Sequence, residues 1–466
     1  MELQPGAPLT RPMRLIAGLR PSHVWLAVLF ALVFAIHQSP PEFRYDERYY
    51  MESAYFLLQN GDVIAVLKTP LDLAAGPLYA TVHALASPIT ALQAHGIRYF
   101  NLFLAAGAVW AVARTLRELG YGQTHSRAAM MFAVPFLVPT LGLALTEAPS
   151  LFAASLSCLA AVKGIRSQSE PWSWAFWIGA GLSAGLAVLG RQTYLPALIG
   201  FFIVALAERR FLIRSLTALI CALLVIAPMV LVWRGLTPPG QPAAAHGLVL
   251  SHGLLAVIYF ATACLFIAPG FAQPLFQRKG WQICVPLSTA LALLCYAGGL
   301  RFPVGKYFMF MVPTDLRELT QSALLIAMTG VGIFFIFISI AALYNRRSNR
   351  TFIAFALMTF VTMATPLAIG HQFSSRYVLA TLPFVLFMIQ PWFSPGPWAS
   401  LRLVLGASLG VVSLAGYYWR PGTTHPQFTL SAPSDIIKQM PLSADDKAVA
   451  LRMKETDISS LAKPLR

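Results

Sequence analysis

Long apolar runs follow one another along almost the whole chain, and no other feature of the sequence restricts the possible folds so strongly. Hydrophobic residues make up 57% of the 466 positions, whereas Asp, Glu, Lys and Arg together make up only 11%. Because about 20 consecutive apolar residues in a helix cross the hydrocarbon core of a bilayer, runs of this kind predict membrane-spanning helices. We therefore expect an all-α fold, a polytopic transmembrane helix bundle of about 11–13 spans.

The candidate spans divide the chain into three parts. We predict a cytoplasmic N-terminal segment at 1–21, a transmembrane domain at 22–419 with a first outer loop at 39–96, and an outer C-terminal tail at 420–466. The first apolar segment lacks a small-residue cleavage site, so we expect it to remain as an anchor. The spans are placed near 22–38, 97–113, 128–145, 149–165, 174–190, 193–207, 213–233, 248–270, 281–299, 320–343, 351–369, 376–392 and 399–418.

The positive charges between the spans predict the orientation of the chain. Arginines precede the first span at positions 11, 14 and 20, and alternate loops are basic, as at 209–214. Since cytoplasmic loops are enriched in Lys and Arg, the N-terminus is predicted to be cytoplasmic and the loop 39–96 to face outwards. The net charge of +16 is scattered between apolar spans, which argues against nucleic-acid binding. The short loops favour a bacterial inner membrane, with the outer loops in the periplasm.

The cysteines predict neither a disulfide framework nor a zinc site. All lie inside apolar segments without paired spacing. They are Cys158, Cys221, Cys264, Cys284 and Cys295. We interpret them as small residues of the core or the lipid-facing surface.

The first outer loop carries two adjacent acids, Asp46 and Glu47, close to the end of the first span. Carboxylates at a bilayer edge are costly unless they have a function, which makes both residues candidates for catalysis. Asp46 is the candidate general base and Glu47 its neighbour, orienting an acceptor or a metal. The alternative is a solvated loop in which neighbouring arginines neutralise these acids. Tyr50, in the same loop, is a candidate for substrate binding.

Two cations on the same predicted face could hold a phosphate group. Lys68 precedes Thr69 and Pro70, and Arg191 lies at the end of an apolar helix, followed by Gln192. A fixed cation neutralises the charge that grows on a departing phosphate. The alternative for Arg191 is a structural one, because arginines at helix ends commonly extend to the membrane interface.

Further polar residues fall on the predicted outer face. Glu147 lies in a tight turn between two apolar segments, where it could also serve only as a helix N-cap or dipole partner. His371 could carry a proton or hydrogen-bond an acceptor, or simply be an interfacial polar residue. The remaining candidates for substrate binding, each equally explained as a membrane anchor, are Lys306, Arg376 and Tyr377.

Taken together, these motifs resemble the GT-C glycosyltransferases, multi-spanning enzymes that use polyprenyl- or dolichyl-phosphate sugars. Protein O-mannosyltransferases and the aminoarabinose transferases of lipid A share this general arrangement. Arg191-Gln192-Thr193 is similar to an element of the dolichyl-phosphate-glucose-dependent α-1,2-glucosyltransferases. The motifs that carry the resemblance are Asp46-Glu47, Lys68-Thr69-Pro70, Gly76-Pro77-Leu78-Tyr79, Arg98-x-x-Asn101, Thr146-Glu147-Ala148-Pro149 and Arg376-Tyr377.

The resemblance implies an inverting transfer of sugar from a polyprenyl-phosphate donor to a lipid, glycan or protein acceptor on the outer face. Asp46 would be the base, Lys68 would lie near the donor phosphate, and Tyr79 and Arg98 join the substrate-binding candidates. The residues indicate no certain cofactor. A divalent metal suits adjacent carboxylates, but Asp46 and Glu47 alone supply too few ligands. The alternatives are a transporter or flippase of a polar or lipid-linked substrate, and a non-catalytic scaffold.

Overall fold

A computed structural model describes residues 21–44, 46–68, 75–238, 247–277, 279–299, 313–370, 373–419 and 424–425. Lys306 and His371, both predicted as substrate-binding residues, lie outside this set. The predicted all-α fold is confirmed. Within the described residues, β structure is confined to the two-residue strands β1 (Phe43–Arg44) and β2 (Thr424–His425), which pair antiparallel.

The first half of the chain contains the first outer loop and its flanking helices. The helices here are α1 (Pro21–His37), α2 (Glu47–Asn60), α3 (Val63–Lys68), α4 (Leu78–Leu85), α5 (Ser87–Thr90), α6 (Ala94–Glu118), α7 (Thr124–Ala129), α8 (Leu137–Gly142), α9 (Glu147–Arg166), α10 (Glu170–Gly190), α11 (Ile199–Ala207) and α12 (Leu212–Trp233). Short 3-10 helices lie at Met130–Ala133, Gln192–Leu198 and Arg209–Phe211.

The second half of the chain is also helical. Its helices are α13 (Leu250–Ile267), α14 (Gln273–Gln277), α15 (Trp281–Ala297), α16 (Arg317–Asn345), α17 (Arg350–Ala364), α18 (Arg376–Leu379), α19 (Leu382–Ile389) and α20 (Pro397–Trp419). Short 3-10 helices lie at Pro269–Ala272, Thr314–Leu316, Thr365–Ala368 and Gln390–Trp392.

The lengths of the apolar helices agree with a multi-pass membrane protein. Among the described residues, 8 helices are long and apolar enough to cross a bilayer, or 9 if the bent pair Pro269–Phe276 and Trp281–Ala297 forms one span. Three shorter apolar helices, at His23–His37, Gln192–Leu206 and Leu382–Trp392, accompany them. The predicted number of about 11–13 spans is reached only if these shorter helices also cross the bilayer.

The segment 128–145, predicted as a single membrane helix, is broken in the structure. It forms α7, the 3-10 helix Met130–Ala133 and α8 in succession. Pro135 and Pro139 explain the break, because proline lacks an N–H group and its ring clashes with the carbonyl of the preceding turn. Irregular backbone at membrane depth is tolerated where protein surrounds it, and nearly every residue of this segment is buried.

The side chain of Asn101 compensates for part of this break. Its amide Nδ2 donates hydrogen bonds to the carbonyl oxygens of Leu143, at 3.1 Å, and Leu145, at 3.3 Å. Its Oδ1 lies 3.1 Å from Nε2 of His83 on α4. One buried amide thus ties α6 to both the irregular segment and the first outer loop, which explains the Arg98-x-x-Asn101 motif in structural terms.

Gly76 allows the first outer loop to approach the membrane helices. A Cβ atom at this position would collide with the carbonyl oxygen of Leu189 on α10 and lie 2.9 Å from Sδ of Met229 on α12. Only glycine therefore permits this packing. The next residue, Pro77, is the N-cap of α4. The Gly76-Pro77 motif accordingly positions Tyr79 against the ends of two membrane helices.

Candidate active site

Four charged side chains from separate parts of the chain meet at one end of the bundle. Asp46 lies at the N-cap of α2, Glu147 at the start of α9, Arg191 directly after α10, and Arg376 at the start of α18. We refer to these four residues as the charge cluster. The start of α9 and the end of α10 lie at the same end of the bundle. The charge cluster therefore lies at the end that the sequence predicts to face outwards.

Glu147 and Arg191 form a buried ion pair. Arg191 donates a hydrogen bond from Nη2 to Oε1 of Glu147, and the two side chains are 10% and 5% exposed, respectively. Nε of Arg376 lies 3.9 Å from the same oxygen. The other carboxylate oxygen, Oε2, is buried and has no hydrogen-bond partner among the described residues. Because a buried charged acceptor without a partner lowers the stability of the fold, Oε2 is available to accept a hydrogen bond from a bound group.

Asp46 has a different environment. Arg376 donates from Nη2 to Oδ2 of Asp46 at 2.8 Å, yet the Asp46 side chain remains 46% exposed. Arg376 also donates from Nη1 to the hydroxyl oxygen of Tyr50 at 3.4 Å and from Nε to Oγ of Ser374 at 3.2 Å. Asp46 is therefore a carboxylate that is oriented by an arginine and still accessible to solvent.

Glu47, predicted to orient an acceptor or metal, lies in a separate, fully buried ion pair with Arg98. Its carboxylate accepts from Arg98 Nε at 2.9 Å and Nη2 at 2.6 Å. It also accepts from the backbone N–H groups of Arg44, at 2.6 Å, and Ala144, at 2.7 Å. We call this pair the clasp. Every hydrogen bond recorded for Glu47 is internal, so the residue holds the loop in place.

Arg98, predicted to bind substrate, has no donor left for one. Besides Glu47, it donates to Oγ of Ser39, to the carbonyl of Pro40 and to the carbonyl of Glu42, at 2.7–2.9 Å. These bonds use all the N–H groups of a guanidinium. The side chain is fully buried. In the structure Arg98 thus supports the first outer loop through these internal hydrogen bonds.

Lys68, Gln192 and Tyr377 take up other positions around the cluster. Lys68 is exposed at the end of α3. This helix is fixed to the end of α12, because the Trp233 indole N–H donates to the Leu67 carbonyl at 2.8 Å. Gln192 is partly exposed and opens the 3-10 helix after Arg191. Tyr377 is buried beside Arg376.

Two tyrosines and a histidine form the wall behind the cluster. The rings of Tyr50 and Tyr79 meet edge to face with centroids 5.9 Å apart, and the His83 ring lies 4.2 Å from that of Tyr79. Burial raises the pKa of Tyr79 well above its usual value, and the neighbouring Asn101 side chain acts in the opposite direction. Burial likewise lowers the pKa of His83 to about 4. Both side chains are therefore uncharged at neutral pH.

An apolar cavity of about 130 Å³ extends from the 3-10 helix that follows Arg191. It lies between α9, α10, α11 and α17. Its lining includes Tyr194, which lies near the charge cluster, the apolar residues Phe201 and Met358, and the charged residues Glu208 and Arg350. This cavity leaves no signal in the sequence, because its apolar lining residues look like ordinary membrane-helix residues.

Some polar residues near the cluster were also missed by the sequence analysis. Ser53, on α2, and Thr146, just before Glu147, have buried hydroxyl groups without partners among the described residues. The signal for Ser53 was its spacing, since residues 46, 50 and 53 fall on one helical face. A metal centre is not evident in the described part of the chain, where no three His, Cys, Asp or Glu residues lie close enough to share an ion.

Comparison with known proteins supports the resemblance seen in the motifs. Residues 74–233, about a third of the chain, match the family model of dolichyl-phosphate-mannose-protein mannosyltransferase. This range includes Arg98, Glu147 and Arg191 and excludes Asp46 and Arg376. The match confirms the predicted resemblance to the GT-C glycosyltransferases and, with it, the prediction of a glycosyltransferase activity. No curated protein matches the chain.

Solved structures with a similar course of the chain are distant in sequence. ArnT from Cupriavidus metallidurans bound to undecaprenyl phosphate shares 14% identity, with a TM-score of 0.43 over 95% of this chain and 89% of that one. Its apo state gives 13% identity and a TM-score of 0.40 over 85% and 77%. The oligosaccharyltransferase AglB from Archaeoglobus fulgidus gives 13% and 0.38 over 94% and 56%.

Proposed function

We propose that this glycosyltransferase moves a sugar from a polyprenyl-phosphate donor to a hydroxyl-bearing acceptor on the outer face of the membrane, with inversion at the anomeric carbon. The charge cluster is the observation that carries the proposal. In this cluster Arg376 donates a hydrogen bond to the accessible carboxylate of Asp46 and also approaches Glu147. A proton acceptor and the cations for a departing anion thus occupy one small region.

In the proposed reaction, Asp46 removes the proton from the acceptor hydroxyl. The acceptor oxygen then forms a bond to the anomeric carbon from the face opposite the phosphate, and the bond between the anomeric carbon and the phosphate oxygen breaks. Its electron pair leaves with the lipid phosphate. Asp46 suits the role of base because one oxygen is fixed by Arg376 while the side chain is still 46% exposed.

Arg191 and Arg376 are the proposed phosphate-binding cations. Both guanidinium groups approach Oε1 of Glu147, and Arg376 also pairs with Asp46, so the two cations are fixed in place by carboxylates. Fixed cations in a partly buried site stabilise charge that develops in the transition state, without reorganising as it forms. Lys68, exposed at the end of α3, is proposed to add to this attraction from the solvent side.

The apolar cavity next to the cluster is the proposed site for the part of the lipid chain nearest the phosphate. Its wall is almost entirely hydrophobic, and it starts at Tyr194, three residues after Arg191. A donor that binds here would place its charged head on arginine and its tail between membrane helices. The name of the matched family, which specifies a dolichyl-phosphate sugar, agrees with a lipid-linked donor.

The proposal is tested by deleting the gene and analysing lipid extracts by mass spectrometry. Loss of the transferase should lead to accumulation of a polyprenyl-phosphate sugar and to an acceptor, whether lipid, glycan or protein, that lacks one sugar. Complementation by the wild-type gene should reverse both changes, whereas an Asp46→Asn gene should not. An unchanged profile of lipid-linked sugars in the deletion strain would contradict the proposal.

The orientation and the transport alternative can be tested with the purified protein. Single cysteines at exposed positions 46 and 68 should react with a membrane-impermeant reagent from the outer side only. In sealed vesicles that contain the protein, a labelled polyprenyl-phosphate sugar should lose its sugar to an added acceptor. Movement of the intact lipid across the bilayer without a new glycosidic bond would favour a flippase.

A further inference from the structure

We infer that a small cavity directly behind the charge cluster binds a neutral hydroxyl or hydroxymethyl group of the donor sugar. The inference rests on the proposed function and extends it to the chemical class of the sugar. Three buried hydroxyl groups from three separate elements line this cavity, and none has a hydrogen-bond partner among the described residues. They belong to Ser53 on α2, Tyr79 on α4 and Thr146 before α9.

These hydroxyl groups have no explanation within the described part of the chain. Ser53, Tyr79 and Thr146 are 4%, 1% and 1% exposed, and each hydroxyl oxygen lacks a partner within hydrogen-bond distance there, although the Asn101 side chain lies near that of Tyr79. Buried polar atoms in proteins are nearly always hydrogen-bonded, because leaving one unpaired costs stability. Finding three around one cavity indicates that a bound group supplies the missing partners.

The cavity lies next to the groups proposed to carry out the reaction. Tyr50, whose hydroxyl accepts from Arg376, is also part of its lining. Thr146 directly precedes Glu147. Ser53 follows Asp46 by seven residues, so Ser53 and Asp46 lie on the same face of α2. A sugar joined to a phosphate on Arg191 and Arg376 would therefore have this cavity within reach of its ring substituents.

The lining determines which chemical groups fit. Its described residues include aromatic, aliphatic and hydroxyl side chains and no charged one. The volume is about 30 Å³, roughly twice what a single water molecule needs in a cavity, so it can admit a small substituent such as a hydroxyl or hydroxymethyl group. An ammonium or carboxylate would lose its hydration there without a counter-charge in the lining. The cavity therefore favours a neutral hydroxylated sugar over an amino sugar or a uronic acid.

The test uses the full-length protein in detergent and decaprenyl phosphate as the probe, alone or linked to mannose, glucose, galactose or 4-amino-4-deoxyarabinose. Dissociation constants are measured for the wild type and for Ser53→Ala and Thr146→Val. Ser155→Ala is the matched control, because Ser155 is a buried serine of α9 whose hydroxyl already donates to the Leu151 carbonyl. Melting temperatures show whether each variant is folded.

We expect at least one neutral sugar to tighten binding to the wild type over decaprenyl phosphate alone. Ser53→Ala and Thr146→Val should each weaken that complex about fivefold, the effect of one lost hydrogen bond, and leave the affinity for decaprenyl phosphate unchanged. The melting temperature without ligand should not fall, since no internal hydrogen bond is lost. Ser155→Ala should not alter the preference for the sugar.

Other results would overturn the inference. If both variants bind every sugar lipid as the wild type does, the cavity holds only water. If the amino sugar alone depends on the hydroxyl groups, the assignment of a neutral substituent is wrong. If decaprenyl phosphate binds and no sugar adds affinity, only this inference fails. If no lipid phosphate binds at all, the proposed function fails with it.

Discussion

The clasp and the charge cluster are built from the same kinds of residue and differ in how completely their hydrogen bonds are satisfied. In the clasp, Glu47 and Arg98 are fully buried, and Arg98 uses every donor it has. In the cluster, Oε2 of Glu147 has no partner among the described residues, and Asp46 is half exposed.

We propose that this difference separates a structural role from a catalytic one. A carboxylate whose acceptor sites are already filled has little capacity to take a proton or hold a substrate, whereas one with a free or accessible oxygen has that capacity. Adjacent residues in the sequence thus have different roles. Asp46 faces the cluster, and Glu47 faces the core, because successive residues of a helix point about 100° apart.

The largest expected effect is on the cluster side of the comparison. Asp46→Asn should lower the rate of sugar transfer by a factor of about a hundred or more, as expected for the loss of a general base. The rate is measured with purified protein and a polyprenyl-phosphate sugar. Asp62→Asn is the control, since Asp62 caps the backbone N–H of Ile64 away from the cluster. Retained transfer in Asp46→Asn would remove this residue from the mechanism.

A mutation in the clasp should lower the stability of the folded protein. Glu47→Gln leaves the buried guanidinium of Arg98 without its counter-charge, so we expect a loss of about 3–5 kcal/mol in the free energy of unfolding. The measurement is the melting temperature in detergent together with the yield of folded protein. Replacing Arg98 by Met in the same chain should recover part of the loss. A Glu47→Gln protein of normal stability would contradict the structural role.

Gly76 tests whether the loop must lie close to the membrane helices. Gly76→Ala should cost about 1–3 kcal/mol, because the added Cβ collides with the Leu189 carbonyl and the surrounding packing must shift. Gly179→Ala is the matched control, since a Cβ there meets nothing within 4 Å. In the middle of α10 that change should be neutral or slightly stabilising. Equal melting temperatures for the two variants would show that the loop can move away without penalty.

The smallest effect concerns His83, which joins the loop to Asn101. Burial lowers its pKa to about 4, against an ordinary value of 6.5. Below pH of about 6.5, the unfolded chain takes up a proton that the folded protein does not, so stability falls by up to about 1.4 kcal/mol per pH unit. Melting temperatures between pH 7.5 and 5.5 should show this slope in the wild type. His83→Gln should show a shallower one, and identical slopes would contradict the assignment.

The sequence predicted the membrane class and the grouping of polar residues better than it predicted their individual roles. Apolar length and loop charge are local properties, and they placed Asp46, Glu147, Arg191 and Arg376 at one end of the bundle, where the structure brings them together. Pro135 and Pro139 carried the signal for the broken segment, which apolar length alone had hidden.

The roles of Glu47 and Arg98 could not be read from the sequence. Their partners are backbone groups of distant segments, such as the N–H of Ala144 and the carbonyl of Pro40. Backbone groups leave no residue-type signature, so only the folded arrangement shows that these side chains are saturated. The hydroxyl cavity was hidden for a related reason, because serine and threonine in membrane helices usually bond to their own helix.

The central claim is that the charge cluster carries out the sugar transfer, whereas the clasp holds the first outer loop in place. The most direct test is the single-turnover rate of sugar transfer per folded molecule in Glu147→Gln, measured beside that of Glu47→Gln. We expect Glu147→Gln to lose at least about tenfold in this rate and to lower the melting temperature less than Glu47→Gln does, because Arg376 keeps Asp46 as a partner. The folded fraction of Glu47→Gln should transfer sugar almost normally. The opposite pattern, an active Glu147→Gln and a stable but inactive Glu47→Gln, would contradict the account.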